Sequence, residues 1–255
     1  MTQQADEPAD FSRKTFLEHL VDLRNTLVRG ALALVIGMAV AVPLAPHIFR
    51  ALSWPLQRAG KDPEKYLKIF DVMGGFNLTM LVVMISGLII AAPAIVFFIA
   101  GFVFPGLTKT ERKAIGTYGI AAVAFFIGGV CMGYFFALPV SLQILMGMGE
   151  WMGPKVDFLA AGDYVIFCLY LLLGFGLSFE LPVVLVLLGH LGLIDSLQLR
   201  SARSYAIVII MIIAMIITPD TSAFSMLVMA VPMILMYEMS IWIIWFKERR
   251  TKAAE

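Results

Sequence analysis

Residues 76–104, FNLTMLVVMISGLIIAAPAIVFFIAGFVF, run from the first phenylalanine to the last without one charged side chain. A hydrocarbon core of about 30 Å needs roughly 20 apolar residues in helical form. In lipid every backbone N–H and C=O must be satisfied within the segment, so such a run is a helix. The stretch Ala114 to Val140 is equally free of charge. Composition agrees over the whole chain: 60% of residues are hydrophobic and 15% charged, against about 25% charged in soluble domains.

With this pair as spans two and three, the chain offers six in all. The first runs from Leu27 to Pro46, with Arg29 able to snorkel to the interface. The fourth, Tyr164 to Gly189, carries Glu180 followed by Pro182, and the sixth, Ala223 to Trp245, carries Glu238 and Pro232. The fifth has only the apolar run Tyr205 to Ile217, about 20 Å of helix. It is joined to the sixth by residues 218–222, so the two form a tight hairpin of short helices over a thinned bilayer. The expected fold is therefore an all-α, polytopic membrane protein with six transmembrane helices, the fifth and sixth short.

Orientation follows from the positive-inside rule. Of the 19 Lys and Arg, six (Arg50, Arg58, Lys61, Lys65, Lys68 and Lys155) fall on one side and the other thirteen share the side of both termini. Both termini are thus placed in the cytoplasm. The opposite loops, His47 to Gly75 and Ser141 to Asp163, are expected to form caps of short helices. The chain is read as one integral membrane domain, with residues 1–14 a disordered tail and 247–255 a second cytoplasmic tail. The first 25 residues are too charged for a cleavable signal sequence, and the first apolar segment is expected to be retained.

Candidate chemistry is confined to a few positions. Thr15 to Arg29 places Phe16, Leu20, Leu23 and Leu27 on one helical face, which suits a surface helix leading into the first span. Glu18 and Asp22 are four apart and share a face, with His19 and Arg24 beside them. That pair is either an ordinary solvated face or half of a cation-binding patch. Glu111, in the loop FVFPGLTKTERK (102–113), forms a capping box with Thr108, or it joins Asp22 in holding a cationic ligand. Arginine suits two such carboxylates because its guanidinium makes forked, charge-assisted bonds. Glu180 lies in the inner half of the membrane, where an acid is costly unless protonated, paired or facing water. Glu238 sits nearer the middle of its span, with Tyr237 available as a local donor. Cys131 and Cys168 both read as small core residues. No metal-ligand spacing, haem-ligand pair, nucleophile elbow or phosphate-binding loop is present in the sequence, so neither cofactor, metal nor catalytic residue is expected. No feature suggests nucleic acid.

Three segments resemble the TatC family of the twin-arginine protein translocase. HLVDLR (19–24) resembles the family's HLxELR, with Asp22 where glutamate is usual and Arg24 on the family's arginine. FVFPGLTKTERK places Phe102, Pro105, Leu107 and Glu111 on recurrent positions, and GFGLSFELP (174–182) places Glu180 on the family's intramembrane glutamate. The resemblance implies that Asp22 and Glu111 bind the paired arginines of a signal peptide, with Phe102 beside them and Glu18 and Arg24 flanking. It further implies single-span TatA/TatB-type partners, an oligomeric assembly in the inner membrane, export of folded proteins, and protonmotive force in place of nucleotide. The turn TPDTSAFSM departs from the family's TPPD: Asp220 aligns only with an offset, and Met226 stands where glutamine is common. Met211 and Met226 mark the hairpin face expected to meet a partner helix. Two other classes compete with this one: a small-molecule or ion transporter with Glu180 and Glu238 as coupling acids, and an intramembrane enzyme.

Overall fold

The computed structural model describes residues 16–103, 109–151, 153, 158–217 and 223–252. The expected spans are all helical. Helix α1 runs Phe16–Arg58, α3 Gly74–Val103, α6 Ala161–His190, α8 Arg203–Ile217 and α9 Ala223–Lys252. The third span is composite: α4 (Lys109–Met132), a π-helical turn (Gly133–Ala137) and α5 (Leu138–Trp151). Short pieces complete the order, α2 (Pro63–Tyr66) and β1 (Leu67–Lys68) after α1, β2 (Leu159–Ala160) before α6, and α7 (Ser196–Ser201) before α8. Five helices are long and apolar enough to cross a membrane, and α8 is the shorter sixth. With six spans both termini share one face, the cytoplasmic one by the distribution of basic residues.

The outer loops differ from the expected caps of short helices. Helix α1 continues unbroken for 43 residues through Pro43, Pro46 and Pro55, and the third span continues through α5. Tertiary hydrogen bonds explain how α1 survives Pro55. Proline has no N–H, so the carbonyl four residues back, that of Ala51, has no helical donor. The Tyr134 hydroxyl donates to it at 2.7 Å, and the Tyr164 hydroxyl donates to the neighbouring Leu52 carbonyl at 2.5 Å. The π-helical turn carries Tyr134 and Phe135, and Trp54 stacks on the first at 5.4 Å and meets the second edge-on at 5.6 Å. Strands β1 and β2 pair in parallel, Leu67 with Leu159 and Lys68 with Ala160, a tie between the two outer segments that the sequence did not announce.

Helix α6 is the hub. It packs against α3, α4 and α9 and touches α1 and α8. Two apolar clusters result: one joins the outer halves of spans one to four around Leu52, Leu138, Val165 and Leu169, and the other joins α8 and α9 to the inner part of α6 around Ile210, Met229, Met233 and Ile241. Lipid supplies no hydrophobic drive between helices, so close approach at small residues matters. A Cβ on Gly37 of α1 would overlap the Gly87 carbonyl of α3, and one on Gly87 would lie 2.7 Å from the Met38 Cα.

Two further expectations fail against this fold. Cys168 is fully buried, but Cys131 is exposed on the bundle surface, where lipid satisfies an apolar side chain as well as a core does. Helix α8 is short, at 15 residues, whereas α9 is 30 residues long: the apolar run ends near Phe246, but the helix continues because Lys247 to Lys252 contains no proline or glycine. Residues 247–252 continue α9 as helix.

Candidate functional site: the cytoplasmic edge

The amphipathic segment expected on the membrane surface forms the first turns of α1. Glu18 and His19 are exposed and Asp22 is half-buried, with the two acids one turn apart on one face. Arg24 is exposed, its guanidinium only loosely directed at the Asn25 amide oxygen at 3.4 Å. Phe102, at the end of α3, is half-buried, and its ring stacks on the His19 imidazole with centroids 4.6 Å apart and planes 22° apart. This contact draws together the HLVDLR segment and the start of the first cytoplasmic loop. Nothing in their spacing indicated that His19 is the residue bridging them. Residues 104–108 lie outside the described residues, as do the Thr108–Glu111 capping box and the Glu111 side chain. The backbone of Glu111 is in the first turn of α4.

Directly membraneward of Phe102, α3 and α4 diverge. The groove between them has a volume of about 790 Å³ and is lined by Pro93, Phe97, Phe98, Ile120, Val123 and Phe126 among others. Its lining is mostly apolar, with the Cys131 thiol at one end, so it can hold hydrocarbon.

Glu180 is 4% exposed on α6, and neither carboxylate oxygen has a hydrogen-bond partner among the described residues. It lies ten residues, about 15 Å, from the end of α6 at His190. Glu238 is differently placed from the expectation. Its Oε2 accepts from Arg203 Nη2 at 2.8 Å, while the Tyr237 hydroxyl donates to the Leu199 carbonyl at 2.7 Å and not to Glu238. Arg203 is the first residue of α8. Because α8 is so short, its basic start lies level with a residue midway along α9, and Glu238 belongs to the cytoplasmic end of the hairpin.

The same end holds contacts that sequence reasoning missed. Asp195 and Gln198 form a capping box at the start of α7, a pattern that D-S-L-Q shows in advance. Ser196 donates from its N–H (2.9 Å) and its hydroxyl (2.5 Å) to the Glu248 carboxylate. Lys247 contacts His190 Nδ1, and Tyr118 lies against the His190 ring at 5.8 Å. Met211 and Met226 are half-buried on the seam of α8 and α9. Asp220 lies outside the described residues. Among the described residues no three His, Cys, Asp or Glu are grouped to hold a metal ion.

Fold and site together define a multi-pass, helical membrane protein of six spans with a cluster of charged and polar side chains at its cytoplasmic edge. The family model of the Sec-independent protein translocase protein (TatC) matches residues 18–232. The Sec-independent protein translocase protein TatC of Aquifex aeolicus is 33% identical over 235 residues, 92% of this chain and 96% of that protein. That of Carboxydothermus hydrogenoformans is 32% identical over 233 residues, covering 91% and 93%. A crystal structure of the twin arginine translocase receptor TatC superposes with a TM-score of 0.78 at 33% identity, covering 90% of this chain and 99% of that one. The chain belongs to the TatC family, the multi-pass component of the Tat protein translocase in the inner membrane.

Proposed function

We propose that this chain is the signal-peptide receptor of its translocase. Asp22 and Glu111 hold the two consecutive arginines of an export signal, with Phe102 and His19 as the adjoining wall and Glu18 and Arg24 at the rim. The observation that carries the reading is the stack of His19 on Phe102, which makes one patch of two segments that are distant in sequence. A signal peptide continues from its basic region into 7–15 apolar residues, and the groove between α3 and α4 supplies apolar walls for them next to Phe102. Asp22 is one methylene shorter than the family's usual glutamate, and Glu18, a turn away, can supply the missing reach.

The rest of the proposed role is export of folded proteins, driven by the protonmotive force, in an oligomer with single-span TatA/TatB-type subunits, without catalysis of its own. Helix α8 reaches about 22 Å, short of a hydrocarbon core of about 30 Å. A partner helix with a polar residue would dock favourably where the bilayer thins beside Met211, Met226 and Asp220. The transporter reading needs Glu180 and Glu238 as a coupling pair, and the bond from Arg203 to Glu238 leaves it one acid short. A photo-crosslinker in place of Phe102 in the membrane-embedded protein tests the receptor role. It should capture a twin-arginine signal peptide, and capture should fall when both arginines are replaced by lysine. Equal capture of the two peptides would contradict it.

A further inference from the structure

Trp242, Trp245 and Phe246 close the apolar part of α9, and Lys247, Glu248, Arg249 and Arg250 follow at once. This is the order expected where a span leaves the hydrocarbon at headgroup level. The Arg249 guanidinium carbon lies 4.1 Å from the centre of the Trp245 ring, and that of Arg200, from α7, lies 5.6 Å from the same ring. Two cations from different elements therefore converge on one half-buried indole.

The neighbouring acids are engaged elsewhere. Glu248 accepts both bonds from Ser196, and Glu238 is paired with Arg203. Among the described residues neither Arg200 nor Arg249 is in an ion pair, and the Arg200 Nε is buried without an acceptor. Guanidiniums gathered against an aromatic face repel each other and have lost part of their water, so an anion with several acceptor oxygens would relieve both costs. The surroundings select the kind of anion. Leu197, Trp242 and Phe246 are exposed around the cluster at 74%, 51% and 55%, an apolar border unsuited to a free, hydrated ion and suited to acyl chains.

We propose that Arg200, Arg249 and Trp245 form a headgroup site for an anionic phospholipid. The phosphodiester oxygens accept from the two guanidiniums, and the acyl chains descend along Trp242 and Phe246. Basic pockets between membrane helices on the cytoplasmic side bind anionic headgroups in this way. The site lies on the α7–α9 side and is independent of the signal-peptide patch.

Native mass spectrometry of the full-length chain in detergent, with equimolar phosphatidylglycerol and phosphatidylcholine, tests it. The wild type should retain phosphatidylglycerol preferentially. Arg249→Gln should weaken that retention about fivefold, and the double change with Arg200→Gln roughly 25-fold if the two act independently. Arg250→Gln removes the same charge one residue away, off the indole, and should weaken it less than twofold. Arg249 is exposed, so its replacement leaves helix packing intact, and the Arg249→Gln single variant decides the outcome even where Arg200→Gln fails to fold. Equal losses from Arg249→Gln and Arg250→Gln would show diffuse attraction without a site. Displacement of the lipid by millimolar inorganic phosphate would show a free-anion site, and equal retention of the two lipids would show no headgroup selection. Each of these three results overturns the proposal.

Discussion

Glu180 and Glu238 look alike in the sequence, each a lone acid followed or preceded by proline within an apolar run, yet they meet opposite fates. Glu238 is a third exposed and bonded to Arg203, so its contribution to stability is small, about 0–1 kcal/mol. Glu180 is buried with both oxygens unpartnered among the described residues. An ionised carboxylate there is far costlier than a neutral group of the same shape. Glu180→Gln should therefore leave thermal stability in detergent unchanged or raised, while export falls if the acid serves transport. A loss of more than about 1 kcal/mol would mean that the carboxylate has a stabilising partner. The tyrosines of the outer half make the reverse case. Tyr134→Phe removes the donor to the carbonyl freed by Pro55, at an exposed position of α1, and unfolding measurements should show a loss of about 0.5–1.5 kcal/mol, the net contribution of one hydrogen bond. No change would mean that Ala51 is satisfied in another way.

Hydrophobic runs made the helices legible, because length and absence of charge suffice to demand a span. The ends of the helices were not legible. Span one reads as ending at Pro46, yet α1 runs on through Pro55, where the freed Ala51 carbonyl is met by Tyr134, far away in sequence. The π-helical turn that aims Tyr134 left no periodic signature, and the pairing of Leu67 with Leu159 depends on where α1 and α5 end. At the candidate site, the acids and Phe102 are proposed from their segments alone, whereas the His19 stack and the Arg203 partner of Glu238 depend on how helices approach. The seam of α1 and α3 shows how close that approach is. Gly37→Val would force its side chain into the Gly87 carbonyl, and overpacking of this kind costs about 1–3 kcal/mol. Gly128→Ala, with nothing within 4 Å of its added methyl, is the control. A lower midpoint for Gly37→Val alone is expected in an unfolding series, and equal midpoints would contradict the close contact.

At the scale of the whole molecule, α6 joins the first three spans to the hairpin of α8 and α9, and the cytoplasmic edge collects the stack of His19 on Phe102, the first turn of α4 with Glu111, and the Arg203–Glu238 tie. In the proposed role this edge has one task, the reading of two arginines by two carboxylates, and charge rather than shape must carry it. A charge-assisted bond of this kind contributes about 1–3 kcal/mol, equivalent to roughly 5- to 150-fold in affinity. The direct measurement is the dissociation constant of a twin-arginine signal peptide for the detergent-solubilised protein, taken for Glu111→Gln, Asp22→Asn, Asp22→Glu and the double Glu111→Gln/Asp22→Asn. Each neutralising single change should lose roughly 5- to 150-fold in affinity, and Asp22→Glu should preserve binding. The double change should depart from additivity, because both acids share one ligand. Wild-type affinity in Glu111→Gln, where glutamine keeps the capping box intact, would leave Glu111 a helix cap and contradict the receptor role at its centre.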